Sequence, residues 1–570
     1  MKITSNVEDE LLPIVLVLQS ILGFLQLLDV LKLPYFPTIN RLTRPKNFEL
    51  DQSLVLPLLL LLGISITYVI LKQQRKISLI PIISFLLYPY HGLEAALAIA
   101  SLLSVITTIY VYREFKKYLF WTLLTISGIN ILSLLHWMLL TPLNVKTPIE
   151  SLALLELDLF YIASYLAPLI ILPLLFTWLI KYMIDWAWDS RLEGNMPHSK
   201  NTDKNTVYIL LSSAVLLSVI SSIYPYLTNI NPGGLNIGVD IQVYVDWAKI
   251  VNHDITQAFN ISGGSRPLIH LMIIFFKRLS GLSFDSTVRY LPAILNPLLV
   301  LSMFVFSYEM TTDLRIAAWA SFFTATGYQI TVNMYSYFLA NILGLSLIFL
   351  SLGLLFRTIR KGDRKSLIAA SALGSLLVYT HPWTFIQYYA SIFVSTAISY
   401  YHHRKKGKAQ EYLKPIVTYL ALLAAAELVK SQLFNGYGGV AATSSVVNSL
   451  AGLNEFWFSS IYNFRLLFGG FMSNNILLIL AIIGAYSIGH KKIHELFLTT
   501  LLALTTIVFL IGNEHIKARL LYNIPIGPLA ALGFLNIHQR LRDPYIKHAF
   551  TIFTVSSMIA YLFQSLANLI

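Results

Sequence analysis

Apolar positions in this chain come in long continuous runs, not in alternation. Runs of about 20 residues recur along its whole length, separated by short polar turns, and about 20 apolar residues are what a helix needs to cross a bilayer. Only helices or a closed barrel satisfy backbone groups in lipid, and a barrel strand would alternate. The pattern therefore predicts an all-α, multi-pass membrane protein. The longest flexible polar break is SRLEGNMPHSKNTDKNT, 190–206. Read as a cytoplasmic linker, it divides an N-terminal transmembrane module, 1–189, from a larger module, 207–570.

Charge orders the second module. Lys and Arg collect in loops on the cytoplasmic side. With the linker inside, a span over 207–224 leads outward, and 225–290 forms an external loop. RTIRKGDRK, HHRKKGK, HKKIHE and HQRLRDPYIKH then all fall inside. The turn NMYSYFLAN, the turn THPWT, a long loop over 431–473 and the turn GNEHIKAR fall outside. About six spans fit before the linker, although the basic loop RLTRPKNFELD then lands outside. The first run is read as an uncleaved span, since no small-residue cleavage site follows it.

Composition agrees: the chain is 56% hydrophobic and 12% charged, with mean hydropathy +0.67. Its net charge of +13 is absorbed by the cytoplasmic loops, so no nucleic-acid partner is expected. With no cysteine, disulfides, thiolate zinc sites and cysteine nucleophiles are excluded. No Walker motif and no HExxH occur, which removes ATP-driven transport and zincin chemistry from consideration. The sequon Asn260-Ile-Ser262 lies in the external loop.

The candidate chemistry gathers outside. In GGLNIGVDIQVYVDWAKIVNHDI, a helix would put Asp240, Tyr244, Trp247 and Asp254 on one face, with Asp246 about a third of a turn away. The alternative is a solvated loop helix anchored at the interface by Trp247. SGGSRPLIHLMIIFFKRLSG, 262–281, is short for a span and is expected to lie along the interface, with Arg266, His270, Lys277 and Arg278 at or near water, a short tilted span being the alternative. His381 precedes Pro382 at the end of a span, where it can bind phosphate or simply cap. NEHIKARLLYNIP sets Glu514, His515, Lys517 and Arg519 at the mouth of a helix. Lys and Arg at a membrane surface suit a phosphate.

This order of one span, a long external loop with an early Asp, a basic-Pro step, an interface helix and a string of short-looped spans resembles the GT-C superfamily of integral-membrane glycosyltransferases. The relevant text is GVDIQVYVDW, SRPLIHLMIIFFKRLSGLSFDSTVRYLPAILNPLLVLSMFVFSYEM, RIAAWASFFTATGYQITVNMYSYFLANILGLSLIFL and RLLYNIPIGPLAALGF, over roughly 206–540. The resemblance implies a multi-span bundle of GT-C type with interface helices on the external loop. It also implies an inverting, mannosyltransferase-like hexosyltransferase that takes its sugar from a polyprenyl-phosphate carrier and gives it to a glycan or protein acceptor. By position, Asp240 becomes the general base or a metal-holding carboxylate, with Asp246 second. Arg266, His381, Lys517 and Arg519 hold the donor phosphate, and Tyr244, Trp247, Glu514 and Tyr522 line the substrate site. A divalent cation, Mg or Mn, is left open. The turn that carries a second acid in many relatives reads NMYSYFLAN, with Asn333 and Asn341, and the WWDYG signature of oligosaccharyltransferases is absent. The expected location is the plasma membrane with the active face extracellular. A secondary transporter or flippase for a lipid-linked or anionic solute is the alternative, with Asp158, Glu427 and Lys430 as its intramembrane charges. A scaffold that kept the architecture without the activity is a further one.

Overall fold

A computed structural model describes residues 115–143, scattered positions from 145 to 160, 170–180, 204–403, 409–433, 472–488, 493–511 and 514–569. The linker 190–203 and most of the loop 431–473 lie outside the described residues. Among those described, every regular element is helical. Among the described residues five helices are long and apolar enough to cross a membrane, over Leu119–Leu140, Lys204–Tyr226, Phe284–Thr311, Leu339–Lys361 and Pro544–Ala567. The protein is a polytopic helical membrane protein.

The chain divides into two compact units: Met1–His136 with Lys146–Leu157 and Leu541–Ser557, and Trp137–Val145 with Asp158–Arg540 and Met558–Ile570. In the first, α1 (Phe115–Leu135) carries a buried Asn130, whose amide lies among the side chains of Glu156, Ser556 and Ser557.

Within the second unit, α2 (Lys204–Ile223) is followed by a loop and three short helices: α3 (Ile241–His253), α4 (Pro267–Ser280) and α5 (Phe284–Tyr290). Buried Ile241, Tyr244, Val245, Ala248 and Val251 form one stripe of α3. Pro267, Ile269, His270, Ile273 and Ile274 form the facing stripe of α4, and the two helices pack on each other. Each fully buried Ile contributes about 1.5–3 kcal/mol to such a contact. Pro267 starts α4, where its missing N–H costs nothing. Gly281 ends it in the left-handed region at φ 70°.

Long helices follow: α6 (Pro292–Thr311), α7 (Leu314–Ala325), α8 (Tyr328–Ser336), α9 (Leu339–Lys361), α10 (Arg364–Val378), α11 (Pro382–His403) and α12 (Ala409–Leu433). The span expected over 316–332 is split between α7 and α8 by a turn at Thr326–Gly327. A Cβ at Gly327 would meet the Phe323 carbonyl at 2.6 Å, so the chain bends where only glycine fits. α9 is central, packing on α6, α10, α11 and α12, and it is buried along most of its length. The last helices are α13 (Asn475–Ser487), α14 (Ile493–Ile511), α15 (Glu514–Tyr522), α16 (Ile526–Arg540) and α17 (Pro544–Ala567). α13 and α16 cross at Gly484 and Gly533, where a Cβ on either glycine would run into the facing backbone carbonyl. Small residues of this kind let helices close up in lipid, where no hydrophobic force drives them together.

Candidate active site

The loop that carries Asp240 is held from both sides. Asn231 Nδ2 donates to Leu235 O at 2.8 Å, and Leu235 N donates back to Asn231 Oδ1 at 2.9 Å. Arg289 Nη2 donates to Gly234 O at 3.0 Å and to Asn236 Oδ1 at 2.8 Å. Its guanidinium also sits 5.2 Å from the Tyr226 ring centre. Val239 N and Asp240 N then donate to Tyr335 O and Ser336 O, at 3.0 and 3.3 Å. This backbone pairing brings the loop onto the turn between α8 and α9. Gly238 makes it feasible: its φ is +105°, and a Cβ there would stand 2.6 Å from the Tyr337 ring.

Asp240 occupies the N-cap position of α3, where an Asp ordinarily accepts a backbone N–H of the first turn. Its side chain makes no such cap. The carboxylate is half-buried and sits in the fields of Arg266 and Arg519. Burial pushes it above the ordinary aspartate range, and the two arginines pull it part of the way back.

The other two aspartates of this segment, Asp246 and Asp254, make hydrogen bonds. Asp254 accepts from Thr256 N, Thr256 Oγ1 and Gln257 Nε2, at 3.0, 2.7 and 3.1 Å, and these bonds hold its pKa below the usual value. Asp246 is exposed, accepts from Gln242 Nε2 at 3.0 Å and lies 3.7 Å from Lys249 Nζ.

Arg266 stands just before α4. Its Nη1 donates to Tyr244 Oη at 3.4 Å, and Ala340 N, at the start of α9, reaches the same oxygen at 3.4 Å. Leu268 N donates to Tyr379 O at 3.0 Å, which ties the first turn of α4 to the end of α10. The residue after that junction but one is His381, and it is fully buried. Its Nδ1 meets Thr384 Oγ1 at 2.9 Å and the Thr384 N–H at 3.3 Å. A backbone N–H only donates, so Nδ1 accepts, and the proton of the neutral ring falls on Nε2. Nε2 is buried without a hydrogen-bond partner among the described residues. Burial holds the imidazole well below its usual pKa, and the charges of Arg266, Arg519 and Lys430 act in the same direction.

Arg519 lies in the last turn of α15. The chain after it is pinned by side chains from other helices. Tyr328 Oη donates to Leu521 O at 3.0 Å, Tyr522 Oη to Gln329 O at 2.6 Å and Tyr388 Oη to Asn523 O at 2.6 Å. Gln329 Nε2 donates to Tyr522 O and Ile524 O, at 3.1 and 3.2 Å. Tyr522 is thus fully buried and acts as a strut for the segment that carries Arg519. Lys517 is buried too, its Nζ 5.4 Å from the Phe509 ring centre. Glu514 opens α15, but its side chain lies outside the described residues.

The structure thus brings Asp240, Arg266, His381 and Arg519 into one electrostatic neighbourhood at the Leu339 end of α9. Trp247 is half-buried farther along α3, edge-on to Tyr244 at 6.0 Å. His270 differs from expectation. It is fully buried between α3 and α4 rather than facing water, because it falls within the apolar stripe of α4. Lys277 is half-buried and Arg278 exposed.

Lys430, which the sequence suggests only as an intramembrane charge for the transporter alternative, is not among the expected site residues. In the structure its Nζ donates to Val378 O at 2.7 Å, its charge reaches His381, and it belongs to the same neighbourhood. No local motif marks it, since α12 is brought to the end of α10 only by folding. Among the described residues no group of three or more metal-ligating side chains occurs. Asp240 would face a cation with Arg266 and Arg519 sharing its surroundings.

No family model and no curated protein matches the chain. Among solved structures it is similar to ArnT from Cupriavidus metallidurans, in a crystal structure bound to undecaprenyl phosphate. The identity is 11%, over 65% of this chain and 77% of that one, with a TM-score of 0.42.

Proposed function

We propose that the protein is a membrane glycosyltransferase that moves a sugar from a polyprenyl-phosphate carrier to an acceptor hydroxyl. The observation that carries this reading is the state of Asp240: a half-buried carboxylate at a helix start that caps nothing and lies in the fields of two arginines. A carboxylate that loses part of its hydration without gaining a hydrogen bond costs free energy, and such groups cluster at functional sites. Its raised pKa brings its basicity closer to that of an effective general base.

In the proposed reaction Asp240 takes the proton of the acceptor O–H as that oxygen attacks the anomeric carbon. The bond from that carbon to the phosphate oxygen breaks, and its electron pair leaves with the lipid phosphate. Arg519 and Arg266 meet the negative charge that gathers there, and His381 Nε2–H supplies a neutral donor. Lys430 and Lys517 add positive field behind them. One carboxylate suffices for a single displacement with inversion, since only the incoming hydroxyl must lose a proton. The superfamily resemblance supports the same assignment, with the extracellular face of the plasma membrane as the place of transfer.

The transporter reading has weaker support. Lys430 bonds the carbonyl of Val378 at the end of α10, and the charge of Glu427 is felt at Lys430 and Tyr379, so both charges sit at a helix end. Transport sites favour the middle of the bilayer.

The test is transfer from radiolabelled polyprenyl-phosphate sugars by the purified full chain and by Asp240→Asn, with and without EDTA. Transfer by the wild type that is lost in the variant supports the reading. Solute uptake in liposomes without any sugar transfer would sink it.

A further inference from the structure

The Asp240 side chain makes no cap bond, so the backbone leading into α3 decides where its carboxylate stands. That backbone rests on Tyr337, in the turn between α8 and α9. Val239 N and Asp240 N bond Tyr335 O and Ser336 O, the two carbonyls just before Tyr337. The tyrosine ring lies against Gly238, where a Cβ would stand 2.6 Å from Tyr337 Cδ2 and 3.2 Å from Tyr337 Cβ. The tyrosine hydroxyl reaches α5, with Arg289 O at 2.7 Å and Val288 O at 2.9 Å as its acceptors. The Arg289 side chain in turn holds Gly234 O and Asn236 Oδ1. The loop 234–240 is therefore gripped at its start through α5 and near its end directly, and both grips converge on one tyrosine.

The turn that carries Tyr337 is itself braced. Tyr337 N donates to Asn333 O at 2.7 Å, and Leu339 N donates to Tyr337 O at 2.8 Å. Asn333 Nδ2 donates to Asn296 Oδ1 in α6 at 2.9 Å, and Asn296 Nδ2 to Ser222 Oγ in α2 at 2.9 Å. All three side chains are fully buried, so the turn is tied to two neighbouring helices by bonds that water does not reach.

Tyr337 occupies this place in a costly conformation. Its φ is 61° and its ψ 48°, in the left-handed region. A side chain crowds the following carbonyl there, and glycine escapes the penalty. The ends of α4 and α9 accordingly use Gly281 and Gly362. Among the described residues the other non-glycine at positive φ is Thr312, which is exposed, whereas Tyr337 is fully buried. Glycine at 337 would ease the backbone and remove the ring and hydroxyl that hold the loop. Backbone strain kept beside a functional group is a mark of preorganisation.

We propose that Tyr337 is a positioning residue for the transfer reaction: its ring and hydroxyl, carried on a left-handed backbone, fix the loop that sets the Asp240 carboxylate. The proposal rests on the transferase reading and adds to it a residue that touches neither donor nor acceptor.

The experiment combines amide hydrogen exchange over 234–240 with transfer kinetics, on the full chain in detergent. The variants are Tyr337→Phe, which loses only the hydroxyl, and Tyr337→Asn, which suits a left-handed backbone but loses the ring. Thr312→Gly is the control for relief of strain elsewhere. Tyr337→Phe should speed exchange at Val239 and Asp240 about three- to tenfold, the worth of one net hydrogen bond. Tyr337→Asn should speed it further and lower kcat about 10²-fold, as a small misplacement of a reacting group does, with the donor KM unchanged. Its acid limb should move down toward that of a free aspartate, since a displaced carboxylate regains water. Thr312→Gly should change none of these. If Tyr337→Asn does not fold, Tyr337→Phe carries the test.

Unchanged exchange over 234–240 in both Tyr337 variants would overturn the proposal. So would faster exchange spread evenly over α6 and α9, which marks a purely structural role, or an acid limb that stays in place while kcat falls in Tyr337→Asn. The failure of the transferase reading looks different: the wild type then transfers no sugar, while exchange still decides whether Tyr337 fixes the loop.

Discussion

The two ends of α9 handle charge in opposite ways. At the Lys361 end acids and bases pair with each other. Glu309 is bound by Arg360 and lies 3.9 Å from Arg357, while Arg357 lies 3.7 Å from Asp363. Arg360 Nη1 also donates to Glu309 O at 3.0 Å, and Asp313 pairs with Arg315 at 2.7 Å while capping α7. At the Leu339 end the polar groups are brought close and left incomplete. Asp240 caps nothing, and Arg266 Nε, His381 Nε2 and the Asn341 amide nitrogen are buried without partners. One end uses its charges to hold turns together. The other leaves several of its polar groups without hydrogen bonds among the described residues, as the proposed transfer site would.

The sharpest way to break the comparison is to remove one acid from each end. Asp240→Asn should reduce sugar transfer by about 10²–10⁴-fold, the usual worth of a general base, with no loss of melting temperature. Glu309→Gln should do the reverse, costing about 1.5–3 kcal/mol of stability through its charged hydrogen bonds while transfer per folded molecule is kept. If Asp240→Asn transfers at the wild-type rate, the contrast between the ends has no functional meaning.

The arginines should separate next. Arg519→Ala is expected to lower kcat by about 10²–10³-fold, as the loss of one stabilising donor does elsewhere. Arg360→Ala should lower Tm with little change in kcat. Both quantities come from transfer kinetics and a thermal melt of the same preparations.

A smaller effect separates the ends by pH. The Asp240 carboxyl is raised by burial, so the acid limb of the transfer rate should lie above the ordinary aspartate value of about 3.9. The sign for stability follows. A carboxyl with a raised folded pKa binds its proton more tightly when folded, so Asp240 favours the fold more as pH drops. Asp363 is lowered, first of all by the Ser366 hydroxyl, and favours the fold above its unfolded pKa, losing that contribution as pH falls. A pH–rate profile whose acid limb sits at or below the value of a free aspartate would remove Asp240 as the base.

Two milder variants complete the series. Asp313→Ala should cost about 1 kcal/mol by the loss of an N-cap to Arg315 N, read as a drop in the melting curve. Asp246→Asn, on the exposed side of α3, should change stability by less than about 0.5 kcal/mol and leave transfer intact. If Asp246→Asn abolished transfer, the base would move from Asp240 to its neighbour.

Much of this molecule is legible in the order of its residues, because it depends on local chemistry. Continuous apolar runs make helices wherever the surroundings are lipid. Asp363 and Asp313 start helices and Gly281 and Gly362 end them, since caps and left-handed turns are decided within a few residues. The helical spacing that aligns Asp240, Tyr244 and Trp247 is equally local. What each side chain meets is not. Asp240, Asp246 and Asp254 look alike in sequence, and only the packing of α3 against α4 and the turn before α9 leaves one without a partner while the others are bonded. Lys430 reaches His381 from more than 40 residues away, and the burial of His270 depends on which face of α4 turns toward α3. Gly484 and Gly533 matter only because a Cβ on either would meet the other helix's backbone carbonyl. Such features are decided by long-range contact and desolvation. A sequence read locally contains the groups that will meet, but their meeting belongs to the tertiary structure.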